Sequence, residues 1–336
     1  MIVFINRLPL RTILYITTNI LNFYIANTDH QWYNYLKSFS PEDINFWQPG
    51  GNVSFKAVSP GSPFLFRLKS PVNKIAGLAF FSTHSILPLD FAWEVFGYRN
   101  GVGSLKDFIT KISSYRRKEN SFSENPNIGC IVLTNPIFFN ESDWISPPAD
   151  WRINIVQGKT YGTSSEIGRR YWGKIQDLLK SYRLFEAEKE IKSQLILEGL
   201  PEKRYGSEIL TKVRLGQGAF RVMLTDAYSR KCAISGERTL PVLEAAHIKP
   251  YAESGPHFIS NGLLLRSDMH KLFDSGYLTI TQDYRVEVSK RIREEFENGR
   301  EYYKFHGNQL LTLPKRNIDL PDPSFIQYHN NQIFKG

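Results

Sequence analysis

The chain has 336 residues, 41% of them hydrophobic, and a formal net charge of +9. That length suits two domains with ordinary cores and excludes a disordered or low-complexity chain. The positive excess, with a pI near 9.3, is shared by both halves and favours a polyanionic partner over an acidic or neutral one. Residues 1–26 are rather apolar and carry Arg7 and Arg11, the outline of a signal peptide. Thr17, Thr18, Asn19, Asn22 and Tyr24 interrupt the run, and no persuasive cleavage site follows. It is too polar for a membrane span. Residues 1–21 therefore read as an extension, and the first domain as 22–162. The two cysteines, Cys130 and Cys232, lie far apart in the chain and form no metal-binding spacing, which fits a reducing cytoplasm.

From residue 22 onward, short apolar runs alternate with Pro and Gly turns. The segments 64–68, 75–81 and 128–133 read as strands of a compact barrel or curled sheet. Residues 88–98 and 104–115 read as helices. Trp47-Gln-Pro-Gly-Gly51 precedes these strands, and Ile153-Asn-Ile-Val-Gln-Gly-Lys-Thr-Tyr161 follows them. Aromatic and polar side chains at loop ends suit stacking on an extruded base. Trp47, Phe55, Trp93 and Trp144 are candidate walls of such a pocket. Asn73, Gln157, Lys159 and Tyr161 are candidate polar contacts. An ordinary core position is the alternative for each aromatic residue.

Three stretches carry a family likeness: the Trp47 opening, Phe66-Arg-Leu-Lys-Ser-Pro71, and the strand that starts Asn73-Lys-Ile-Ala-Gly77. On these the first domain resembles the PUA superfamily, with its EVE, ASCH and SRA-type members. The resemblance implies a PUA-like β-barrel with helices that reads modified cytosine in DNA.

Residues 163–205 form a helical linker. Trp172, Ile175, Leu178, Leu179, Tyr182 and Phe185 recur at helical spacing along 164–198. Such a stripe calls for cover, either between domains or in a homodimer. Gly199-Leu-Pro201 stops the helix.

Residues 206–336 form the last domain. Gly216-Gln-Gly218 has the look of a phosphate loop, but no strand precedes it and no Lys-Ser/Thr follows. It leads instead into a helix over 219–228, with Arg214 and Arg221 available to a DNA backbone. Leu243-Glu-Ala-Ala-His247-Ile-Lys-Pro250 reads as a strand over 242–248. Asn261-Gly-Leu-Leu-Leu265 returns as a second strand. Ser267 reads as an N-cap, and a helix over 268–275 stops at Gly276. This order brings His247, Asn261, His270 and Asp274 toward one point. A carboxylate in the last helical turn opposes the helix dipole, and a nearby cation would offset that. Asp274 could equally be exposed or paired with Lys271 or Arg266. Residues 291–300 read as a mixed-charge helix with a solvated face.

The run from His247 to Gly276 resembles the HNH, or ββα-metal, endonucleases. The likeness covers about residues 206–315, and makes the whole chain an α+β protein. It implies His247 as general base, Asn261 as the residue that holds the connecting loop, and His270 as a metal ligand. Lys249, Arg266 and Lys271 would join Arg214 and Arg221 in contacting nucleic acid. Many relatives carry a His or Asp ligand immediately before the general base, where this chain has Ala246. Glu244 or Asp274 could supply the missing ligand. The implied cofactor is Mg²⁺ or Mn²⁺, with Zn, Ni or Co also compatible with an imidazole ligand. A reader fused to an HNH nuclease implies a cytoplasmic, type IV-like restriction enzyme acting on double-stranded DNA. The alternatives are an inactive HNH-fold regulator and a nuclease toxin that acts on unmodified nucleic acid.

Overall fold

The computed structural model describes residues 21–116, 125–198 and 216–336. Arg214, residues 1–20 of the expected extension and the linker after residue 198 lie outside them. The chain divides into two compact units. One holds the residues up to Ser40, Lys56–Phe81, and Asn135 onward into the long helix. The other holds Pro41–Phe55, Ser82–Thr134, and everything from Gly216 to the C-terminus.

The first strands and helices are β1 (Asn22–Thr28), α1 (His30–Lys37), β2 (Asp43–Gln48), β3 (Pro63–Leu68) and β4 (Ile75–Pro88). There follow α2 (Leu89–Phe96), α3 (Leu105–Tyr115), β5 (Asn127–Phe138), β6 (Gly158–Gly162) and α4 (Glu166–Glu198). The strands order as β2-β5-β4-β3-β1-β6, with β4 and β5 contributing residues to both units. β1 runs parallel to β3 and antiparallel to β6. All six residues of β3 are buried, as a central strand requires.

The expected barrel is instead an open sheet among the described residues. β2 and β6 are its edges. β6 has only five residues, bounded by Gly158 and Gly162, and closing a barrel needs tilted strands long enough to stagger and pair around the ring. Asp29 caps α1 by accepting from the backbone of Gln31 and Trp32, and Ser104 caps α3 through Asp107.

The stripe on α4 is covered within its own unit. Trp172, Ile175 and Leu179 pack with Phe23, Ile25, Leu65, Leu78 and Phe139, and Leu178 and Tyr182 border the same cluster. The side chain of Phe185 lies outside the described residues. No helix among the described residues is long and apolar enough to cross a membrane.

The second unit continues with α5 (Gln217–Ala227), β7 (Leu243–His247), β8 (Gly262–Arg266) and α6 (Ser267–Asp274). β9 (Leu278–Ile280), β10 (Val286–Val288), α7 (Arg291–Phe296), α8 (Arg300–Tyr303) and α9 (Pro323–Gln332) complete it. The single helix expected over 291–300 is broken in two. Glu297 and Gly299 take left-handed backbone, which no helix can contain. Leu263, Leu264, Leu265, Met269 and Phe273 are fully buried in one core with Phe220 and Leu224 of α5 and Tyr228 just after it. A second cluster packs Ala219 and Val222 of α5 against α2, α3 and β5.

The Gly216-Gln-Gly218 turn holds a carboxylate of the chain itself. The backbone N–H of Ala219 donates to Asp43 Oδ2 at 2.7 Å, and Arg99 pairs with the other oxygen. Asp43 is fully buried. A Cβ at Gly216 would lie 2.4 Å from its Oδ2, so glycine is what admits the carboxylate. The positive end of α5 is thus answered by an internal anion.

Candidate active site

β7 and β8 form an antiparallel pair in which His247 faces Gly262 and Glu244 faces Leu265. Ala246 is completely buried on β7, whereas Glu244, on the same face two residues earlier, and His247, on the opposite face, are half-buried. Between the strands runs a fourteen-residue loop pinned by Asn261, whose side chain is fully buried. Its Oδ1 accepts from Lys249 N at 2.8 Å. Its Nδ2 donates to Lys249 O at 3.0 Å and to Pro256 O at 2.9 Å. One amide at the end of the loop therefore ties down its start at Lys249 and its middle at Pro256.

α6 follows β8 without a break. Arg266, not Ser267, is its N-cap residue, and no side chain caps it. Arg266 instead forms a two-point pair with Asp268, at 2.6 and 2.7 Å. Asp268 then sits in the first turn, where the helix dipole favours it. His270 lies between two carboxylates. Its Nδ1 is 2.7 Å from Glu244 Oε2, and its Nε2 is 3.2 Å from Asp274 Oδ2. Burial would lower the pKa of His270, but the two carboxylates outweigh it and raise it.

His247 is stacked on Phe220 with ring centres 4.4 Å apart. Its Nε2 is 2.8 Å from His257 Nδ1, and His257 in turn stacks on Tyr251 at 4.5 Å. Burial pushes the pKa of His247 down to about 4. The neighbouring His257 and His270 push the same way, and Asp274 opposes them. The imidazole is therefore neutral near pH 7, the form that can accept a proton. His270 and Asp274 are thus among the groups whose charge bears on His247.

Among the described residues no three His, Cys, Asp or Glu side chains stand as a ready-made ion cage. The two donors Nε2 of His270 and Oδ2 of Asp274 nonetheless suit a partial site. Their 3.2 Å separation is that of neighbouring ligands on one small ion, whose bonds are about 2.1 Å. Glu244 on the opposite nitrogen is the carboxylate partner that metal-bound imidazoles usually have. Mg²⁺ commonly takes only one or two protein ligands and completes its shell with water and phosphate oxygens.

The remaining candidates are distributed as follows. Lys249 lies over the ring of Tyr328 at 4.7 Å, and Lys271 is exposed. Arg221 donates to Glu94 at 2.6 Å and to Leu243 O at 3.2 Å. Trp47 donates to Asn100 O and packs on Phe108, as does Trp93; Phe55 is half-buried in the same unit. In the other unit Trp144 packs edge-on against Tyr33. Lys159 and Tyr161 both bond Asp150, and Gln157 is exposed. Asn73 accepts from the buried Arg67, which also donates to Asn27 and lies 4.9 Å over Trp151. Reading the sequence missed His257 and Phe220. The signal for His257 was a third histidine inside the loop bounded by His247 and Asn261. Phe220 gave none, because it reaches the site from a helix outside the motif.

Residues 232–281 match a family model described as HNH endonuclease. No curated protein sequence matches the chain. Among solved structures, ASCH from Zymomonas mobilis is similar at 10% identity with a TM-score of 0.30, covering 45% of this chain and 94% of that one. A point mutant of the same protein gives 9% and 0.29, over 47% and 96%. A structure described as the modification-dependent TagI restriction endonuclease gives 14% identity and a TM-score of 0.26, covering 88% of this chain and 76% of that chain.

Proposed function

We propose that the chain is a metal-dependent DNA endonuclease that hydrolyses phosphodiester bonds, with His247 as general base. The observation that carries this reading is the β7–β8–α6 arrangement of His247, the Asn261-pinned loop that follows it and the His270–Asp274 donor pair, inside the segment that matches the HNH endonuclease family. His247 takes the proton of the attacking water, and Asn261 fixes the loop behind it. His270 and Asp274 would hold the cation, with Glu244 orienting His270. A divalent cation bound there supplies stabilisation of charge on the phosphate and on the leaving 3′ oxygen.

The finer reading is a cytoplasmic restriction enzyme of the type IV kind, selective for double-stranded DNA with modified cytosine. It rests on the PUA-like sequence features of the first half. A duplex cut needs two active sites, which a homodimer would supply.

Nicking of supercoiled plasmid in Mg²⁺ or Mn²⁺ tests the nuclease reading. We expect cleavage by the wild type and a loss of at least about a hundredfold in His247→Ala. A wild type inert in every divalent metal would make the chain an HNH-fold binding protein instead. Plasmids carrying cytosine, 5-methylcytosine or 5-hydroxymethylcytosine test the finer reading. Equal cleavage of all three would remove the modified-base specificity and leave a general nuclease.

A further inference from the structure

We infer that His257 is a positioning residue that fixes the tautomer of His247, so that Nδ1 of His247 is the atom that takes the proton from water. This deepens the nuclease reading and rests on it. His247 Nε2 and His257 Nδ1 are 2.8 Å apart, so one of them carries the shared hydrogen. If His257 donated it, Nε2 of His247 would be the acceptor and would already be engaged. If His247 donates, its Nδ1 is the remaining lone pair, and no hydrogen bond to that atom forms among the described residues. Only the second arrangement gives a ring that can act as a base without first breaking the contact.

The surroundings fix the ring planes. Phe220 stacks on the His247 ring at 4.4 Å and 17°. Tyr251 stacks on the His257 ring at 4.5 Å and 17°. His257 is only 6% exposed, and Asn261 anchors the backbone of Pro256 immediately before it. An imidazole held this firmly, with a nitrogen aimed at the base, does for His247 what a carboxylate or a backbone carbonyl does in other base sites.

In the reaction, the water oxygen forms the new bond to phosphorus while its proton passes to His247 Nδ1. The bond from phosphorus to the leaving oxygen breaks, and that oxygen takes a proton from solvent. His247 becomes imidazolium, and its Nε2–H bond to His257 Nδ1 strengthens as charge develops. Its proton afterwards returns to solvent.

Two variants of the full chain test the role. His257→Phe keeps a flat ring against Tyr251 but removes the acceptor. His257→Asn offers Oδ1 near the position of Nδ1. Single-turnover cleavage of supercoiled plasmid separates the chemical step from DNA binding. We expect His257→Phe to slow that step about ten- to a hundredfold with unchanged DNA affinity, the usual scale for removing an orienting partner. His257→Asn should recover to within about fivefold, with both variants melting near the wild type. A wild-type rate in folded His257→Phe would overturn the proposal. So would folded His257→Asn as slow as His257→Phe. Imidazole ¹⁵N spectra of the metal-free wild type give a readout that does not need activity. They should show His247 protonated at Nε2, and a proton at Nδ1 would overturn the assignment. A wild type with the expected spectrum but no cleavage would instead overturn the nuclease reading and leave the pairing in place.

Discussion

The side chain of Asn261 makes three hydrogen bonds, all to backbone groups of the loop, and is wholly shielded from water. Replacing it with alanine leaves a buried N–H and two carbonyls without it. Asn261→Ala should cost about 2–4 kcal/mol in urea unfolding and slow cleavage as well, because the loop it holds carries His257. An unfolding midpoint equal to wild type would show that the loop finds other partners. A second residue, His329, bears on stability. It is buried, its Nε2 donates to Phe273 O at 3.1 Å, and its ring stacks on Phe273. Burial brings its pKa down to about 4, against only partial opposition from the Phe273 carbonyl and Asp274. Between about pH 6.5 and 4 the unfolded chain therefore binds a proton that the folded chain refuses. The stabilisation is present above 6.5 and is lost as the pH falls toward 4. From pH 7 to 5 the loss is about 2 kcal/mol. Urea titrations of wild type and His329→Gln at both pH values should show the smaller loss in the variant.

At the scale of elements, the ββα order was legible because it depends on local rules. Apolar runs ended by Lys249-Pro250 and begun after Asn261-Gly262 gave β7 and β8 to within two residues. Asp268 and Gly276 marked α6, although the cap itself fell to Arg266. The spacing of His247, Asn261 and His270 pointed to the candidate site because all three sit on that one short motif. What the sequence left unread was non-local. A stripe on α4 demands cover but does not say what provides it, and β6 does not announce that it stops short of closing a ring. The stacking of Phe220 on His247 is of the same kind, because it joins α5 to a strand two dozen residues away. Gly262 makes that approach feasible. A Cβ there would lie 2.8 Å from Phe220 and from Leu224. Gly262→Ala should push α5 off the hairpin, destabilise the fold by about 1–3 kcal/mol and impair cleavage. Wild-type thermal stability would mean that α5 yields easily and that its ring is not needed.

At the scale of the molecule, the segment that matches the HNH family belongs to a compact unit that also takes in β2, α2 and α3. Residues 206–336 expressed alone would lack Asp43, leaving the N-terminus of α5 without its acceptor. They would also expose the faces of Ala219 and Val222 that α2, α3 and β5 cover. We expect that fragment to melt well below the full chain, or to aggregate, as read by calorimetry and light scattering. A fragment melting at the full-chain temperature would show that α5 needs neither. For chimaeras this puts the useful seam in an unexpected place. Cutting at the long helix to graft a foreign module onto the HNH-like segment would discard Asp43, two hundred residues upstream of His247, so a workable fusion carries the 41–55 and 82–134 segments with that segment and exchanges only what lies beyond them.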